Sequence, residues 1–118
     1  MTTSEFATVL AWHDALDAKD IDTLLQLSTE DIDIGDAQGA TQGLTALREW
    51  AQAFPTSVSV GKTYVHGGVV VVEQTFGDGG SSASAFRVVD DKVASVFRHD
   101  DLPSALAATD LTEDDLVS

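Results

Sequence analysis

The chain has 118 residues, 43% of them hydrophobic, and six basic residues against twenty acidic ones give a formal charge of −14. That length suits one domain with a single core. The charge repels phosphate backbones and anionic lipid, which excludes nucleic acid and membrane surfaces as partners; the acidic surface reads as a solubility device. The absence of cysteine removes disulfides, thiol nucleophiles and cysteine-ligated metals together.

No apolar run approaches the ~20 residues that a membrane helix needs. The longest, residues 69–72, reads as a buried strand. The first residues, Met1-Thr2-Thr3-Ser4-Glu5, lack the basic region and apolar core of a signal peptide, so a cytoplasmic location is expected.

A capping box opens the first helix, with Thr2 as N-cap and Glu5 three residues on. Phe6, Val9, Leu10, His13 and Leu16 form its apolar stripe, with Trp12 at the edge. Asp20 caps a second helix whose apolar face is Ile21, Leu24, Leu25 and Leu27. In Asp31-Ile32-Asp33-Ile34 the period changes to two, which predicts a strand ending at Asp36, with Gly35 freeing the backbone to turn. Residues 36–43 form a loop of small residues with room for one short strand. The third helix, residues 44–54, places Leu44, Leu47, Trp50, Ala51 and Phe54 at helical spacing, and Pro55 stops it.

The second half alternates. Residues 57–65 put Val58, Val60, Lys62 and Tyr64 on one face. Turns at His66-Gly67-Gly68, Gly77-Asp78-Gly79-Gly80 and Asp90-Asp91 separate strands at 69–76, 83–89 and 92–98. Consecutive hairpins predict an antiparallel sheet, and helices followed by strands predict an α+β domain. Residues 102–108 are expected to be helical with Pro103 in first position, and the acidic residues 109–118 to fray. With no linker or repeat, residues 1–118 read as one domain.

Three stretches point to a known family. Ala15-Leu16-Asp17-Ala18-Lys19-Asp20-Ile21-Asp22 is similar to a helix break of the form AL-x-x-x-D-x-D. Gly43 stands before the third helix in the stretch Gly43 to Trp50, and Phe97-Arg98-His99-Asp100, followed by Leu102 and Ala105-Leu106, is similar to a characteristic end of a last strand. In this order, over residues 5–108, they resemble the nuclear transport factor 2-like superfamily, also called SnoaL-like. The resemblance implies a cystatin-like roll: three N-terminal helices packed on a strongly bent antiparallel sheet, enclosing one pocket. It also implies a homodimer joined across sheets and a small hydrophobic molecule as ligand. Against the ketosteroid isomerase branch, Asp36 falls on the general base, Trp12 on the oxyanion-hole tyrosine and Ser84 on the protonated aspartic acid.

Asp36 and His13 are therefore the candidate catalytic residues. A carboxylate at a strand end can take a proton next to a carbonyl, and a histidine in an apolar stripe can bond or shuttle within a pocket. Trp12, Tyr64, Ser84 and His99 are the candidate ligand-binding residues: two rings that can stack, a hydroxyl, and an imidazole at the pocket mouth. No HxH, HExxH or calcium-loop spacing occurs, so neither metal nor cofactor is expected. The expected function is a pocket for a small hydrophobic molecule, as a cofactor-free isomerase, cyclase or dehydratase using Asp36. The alternative is a non-catalytic binding or dimeric assembly module, because the fold hosts both.

Overall fold

In the computed structural model, which describes residues 2–36, 39–53, 57–77 and 79–117, helix α1 spans Thr2–Ala18 and so includes the residue expected to cap it. Its far end closes with Lys19 in the left-handed region (φ 58°). Lys19 N donates to Leu16 O at 3.2 Å and Asp20 N to Ala15 O at 2.9 Å, the paired bonds of a Schellman ending. Asp20 then caps helix α2, Ile21–Gln26. The break read from sequence at residues 18–22 is thus two caps back to back. Lys19 Nζ also reaches Ala51 O at 2.9 Å, tying this corner to helix α3, Leu44–Ala53. Phe54 and Pro55, expected to end α3, lie outside the described residues.

Six strands form one sheet in the order β2-β1-β6-β5-β4-β3. They are β1 (Ser28–Asp36), β2 (Gly39–Gln42), β3 (Val58–His66), β4 (Val69–Phe76), β5 (Ser81–Val89) and β6 (Lys92–His99). Every pairing is antiparallel except β1 with β6, which is parallel. The sheet is therefore mixed at one seam, because the chain crosses from β2 through α3 to the far edge at β3 and the following meander brings β6 back beside β1. Helices α1, α2 and α3 pack on one face of this curled sheet, over a core that includes Val9, Leu24, Ile32, Leu47, Val72 and Phe86.

A fourth helix, α4 (Leu102–Thr109), covers part of the opposite face. Asp101 caps it, accepting from Ser104 N at 2.9 Å, and Pro103 lies in its first turn, where no amide hydrogen is needed. Tyr64, Val71, Ala83, Ala105 and Leu111 form a second, smaller core beneath it. The tail that sequence expects to fray is seated: Leu111 is buried, Thr112 closes a capping box with Asp115, and Val117 N donates to Thr63 O at 2.8 Å.

Two local expectations change. Gly35 does not turn the chain; β1 runs through it with no positive φ. Its missing side chain admits its neighbours instead, since a Cβ there would lie 2.8 Å from Ala40 Cβ and 3.0 Å from a ring carbon of Phe97. On β3, Val60 pairs with Gln74 but Thr63 pairs with Val72. Three steps on β3 match two on β4, so a bulge at Gly61–Lys62 inserts one residue. The shift carries Tyr64 to the face opposite Val58 and Val60, into the core under α4.

Candidate functional site

Strand parity builds the site. On β1, Ile32 and Ile34 point to the helices, so Asp36 is in phase with them. Ile34 pairs with Val96 and Gly35 with Phe97, which brings Asp36 level with Arg98. Ser84 pairs with Arg98 across β5 and β6, and Gln74 continues the inward row of Val70 and Val72 on β4. These side chains converge with Trp12 of α1 and Trp50 of α3 on one cavity of about 210 Å³.

The cavity has an apolar floor and a polar rim. Trp12, Leu16, Ile34 and Val96 are buried in its wall, with Gln74 and Ser84 the buried polar groups. Asp36, Thr41 and Arg98 line the exposed side. The Arg98 guanidinium lies over the Phe76 ring, 5.1 Å from its centroid, an attraction that steadies the charge at the rim. Trp12 packs edge-on to Phe86 at 5.3 Å and against Trp50 at 5.9 Å.

Of the six residues singled out from sequence, Asp36, Trp12 and Ser84 line the cavity and His13 sits behind its wall. His13 is only 3% exposed. Its Nδ1 lies 2.8 Å from Val9 O and its Nε2 2.9 Å from Gln74 Nε2. A carbonyl only accepts, so Nδ1 carries the hydrogen and bare Nε2 accepts from the Gln74 amide. Ser84 Oγ in turn donates to Gln74 Oε1 at 2.8 Å. Burial lowers the His13 pKa from 6.5, outweighing the opposing pull of the Val9 bond and the Asp14 charge; a neutral ring fits this chain of bonds.

Two residues go elsewhere. Tyr64 lies under α4, where burial and then the Glu113 charge raise its pKa. His99 pairs with Ala83, a member of the same outer core, so it faces away from the cavity that Arg98 enters. Sequence reading missed Gln74 and Arg98. The signal for Gln74 was a polar residue in phase with Val70 and Val72; for Arg98 it was phase with Val96. Among the described residues, no group of three or more acidic or histidine side chains is placed to hold a metal ion, and no helix is long and apolar enough to cross a membrane.

This architecture, helices over a curled sheet with a cavity between, is that of the nuclear transport factor 2-like superfamily. Residues 9–101 match the SnoaL-like domain, and the chain belongs to that family. An NTF2-like protein of unknown function from Cytophaga hutchinsonii superposes with a TM-score of 0.75 at 15% identity, covering 87% of this chain and 94% of that one. A candidate ketosteroid isomerase from Kribbella flavida gives 0.73 at 22% identity, covering 82% and 77%. A candidate polyketide cyclase from Sinorhizobium meliloti gives 0.70 at 20%, covering 79% and 94%. At such identities the likeness is one of fold. No curated protein matches the sequence.

Proposed function

We propose that the cavity binds a small, largely apolar molecule and that Asp36 acts on it as acid and base, without a cofactor, in an isomerase-, cyclase- or dehydratase-type proton transfer. One arrangement supports this reading above others: Asp36 and Arg98 share the rim of a cavity whose floor is apolar. A carboxylate there can take a proton from carbon, and a guanidinium beside it can hold developing negative charge. The relatives described as candidate isomerase and cyclase add support by analogy of fold. At about 210 Å³ the cavity falls below the ~300–1,000 Å³ of drug-sized sites, which favours a single ring or short chain over a fused polycycle. The proposal includes a homodimer, for which the exposed Phe97 and Val89 supply apolar surface.

A second reading, binding without catalysis, is favoured by one observation. The Trp12 N–H is spent on Ser28 and the Ser84 O–H on Gln74, so neither serves as an oxyanion donor in this arrangement. Deuterium exchange next to the carbonyl of single-ring ketones, followed by NMR in heavy water, separates the two. Catalysed exchange that falls at least about 100-fold in Asp36→Asn, in a variant whose circular dichroism and Tm match the wild type, supports the enzyme. Binding with no exchange in the wild type leaves the binding module. Equal exchange in both proteins removes Asp36 from the chemistry.

A further inference from the structure

The amide of Gln74 has two N–H groups and one oxygen, and its neighbours use only part of that set. One N–H goes to His13 Nε2 at 2.9 Å, and the oxygen accepts from Ser84 at 2.8 Å. His13 cannot receive both hydrogens, since its only bare nitrogen is Nε2. Ser82, the cross-strand partner of Gln74, is buried, and its hydroxyl makes no hydrogen bond among the described residues. The second N–H of Gln74 therefore has no partner among them, although the residue is 5% exposed and lines the cavity.

A buried donor left unmade costs far more than a lone pair left unmade. The amide also cannot turn to hide it. Rotation would set Gln74 Oε1 against bare His13 Nε2, acceptor against acceptor, because the Val9 carbonyl holds the imidazole hydrogen on Nδ1. His13 thus fixes which way round the amide stands without touching the cavity itself.

We propose that Gln74 is the specificity-determining residue of the cavity: its second N–H, aimed by His13 and Ser84, selects ligands whose buried end is a hydrogen-bond acceptor. His13 is a positioning residue, acting through Gln74. An ammonium end brings donor against donor and is rejected; a carbonyl or ether oxygen is taken. The inference rests on the small-molecule reading above and adds the chemistry of the inner end of the ligand, opposite the charged rim.

The test pairs two probes of one shape, cyclohexanone and methylidenecyclohexane, titrated by NMR into the wild type and Gln74→Leu. Comparing the ratio of the two affinities between proteins cancels the greater hydrophobicity of the hydrocarbon. The preference for the ketone is expected to shrink about tenfold in the variant, the weight of one buried hydrogen bond. In the wild type, the ketone and not the hydrocarbon should move one of the two Gln74 side-chain amide protons, and nitrogen shifts should show His13 with its hydrogen on Nδ1. These wild-type readings decide the matter even if the variant does not fold. A ketone that binds while both amide protons stay still overturns the role of Gln74 and leaves the binding reading intact. If neither probe binds, the small-molecule reading itself fails and takes this one with it.

Discussion

The indole N–H of Trp12 donates to Ser28 Oγ at 3.1 Å, and the Ser28 hydroxyl passes on to Leu24 O at 2.8 Å. Trp12 stands in a cavity wall where the ketosteroid isomerase comparison places an oxyanion donor, but its polar atom is turned into the protein. The bond joins α1 to the start of β1, so its value is structural. Ser28→Ala should leave the indole N–H buried and unpaired, at a cost of about 1–3 kcal/mol. Urea denaturation should show the midpoint falling with little change in slope. A variant as stable as the wild type would mean that the indole has another acceptor within reach.

Gly35→Ala should be worse than its small size suggests. The new methyl would sit 2.8 Å from Ala40 Cβ, 3.0 Å from Gly39 O and 3.0 Å from the Phe97 ring. Two of these neighbours belong to β2, whose register against β1 sets the cavity rim beside Asp36. Overpacking of this kind costs about 1–3 kcal/mol. Because φ at Gly35 is not positive, none of that is backbone strain. Amide exchange should accelerate selectively along β2 and the end of β1; a uniform rise across all six strands would instead mean general destabilisation.

Much of this was legible in the sequence, and the misses share a cause. Helical stripes and alternating strands follow from local spacing, and Asp36 follows from the family resemblance; its phase with Ile32 and Ile34 accounts for its place on the cavity rim. Alternation along β3 alone puts Tyr64 on the wrong face, because a bulge is a property of two strands together. The charges of the tail are local and predict fraying, whereas its bond to Thr63 is long-range and invisible to them. The partnership of His13 with Gln74 spans 61 positions, and no periodicity within one element reports on the other.

Stability should fall as the solution is made mildly acidic, with His13 as a main cause. Its pKa is lowered in the fold, first by burial, while the unfolded chain titrates near 6.5. Above that pH both states carry a neutral ring and no penalty arises. As pH drops below 6.5 the unfolded state takes up a proton that the native state declines, so stability is lost down to the lower native pKa. One proton sets a ceiling of about 1.4 kcal/mol per pH unit. The groups facing the ring from the sheet, Gln74 on β4 and Phe86 on β5, are uncharged; Asp14 on its own helix is the charge that opposes the shift. His13→Asn should flatten the dependence of Tm on pH between neutrality and the carboxylate range. An equally steep curve in that variant would assign the acid sensitivity to other groups.

Tyr64 offers a direct readout of the seated tail, because it is the only tyrosine in the chain and ultraviolet titration of its phenol needs no label. Its pKa stands above 10.0, first because it is buried and then because the Glu113 carboxylate lies nearby. Both causes depend on residues 111–117: Leu111 packs in the same core, Leu116 bridges to Tyr64, and Glu113 opens the short helix between them. Removing residues 111–118 should therefore bring the phenol back toward 10.0. It should also lower stability by at least the roughly 2–5 kcal/mol of one buried leucine lost. Raising pH past 10.0 should destabilise the intact chain, since the unfolded phenol ionises first and the native one resists, whereas the shortened chain should show less of this loss. A shortened chain whose Tyr64 still titrated well above 10.0 would place the burial with α4 alone and leave the tail a passive covering.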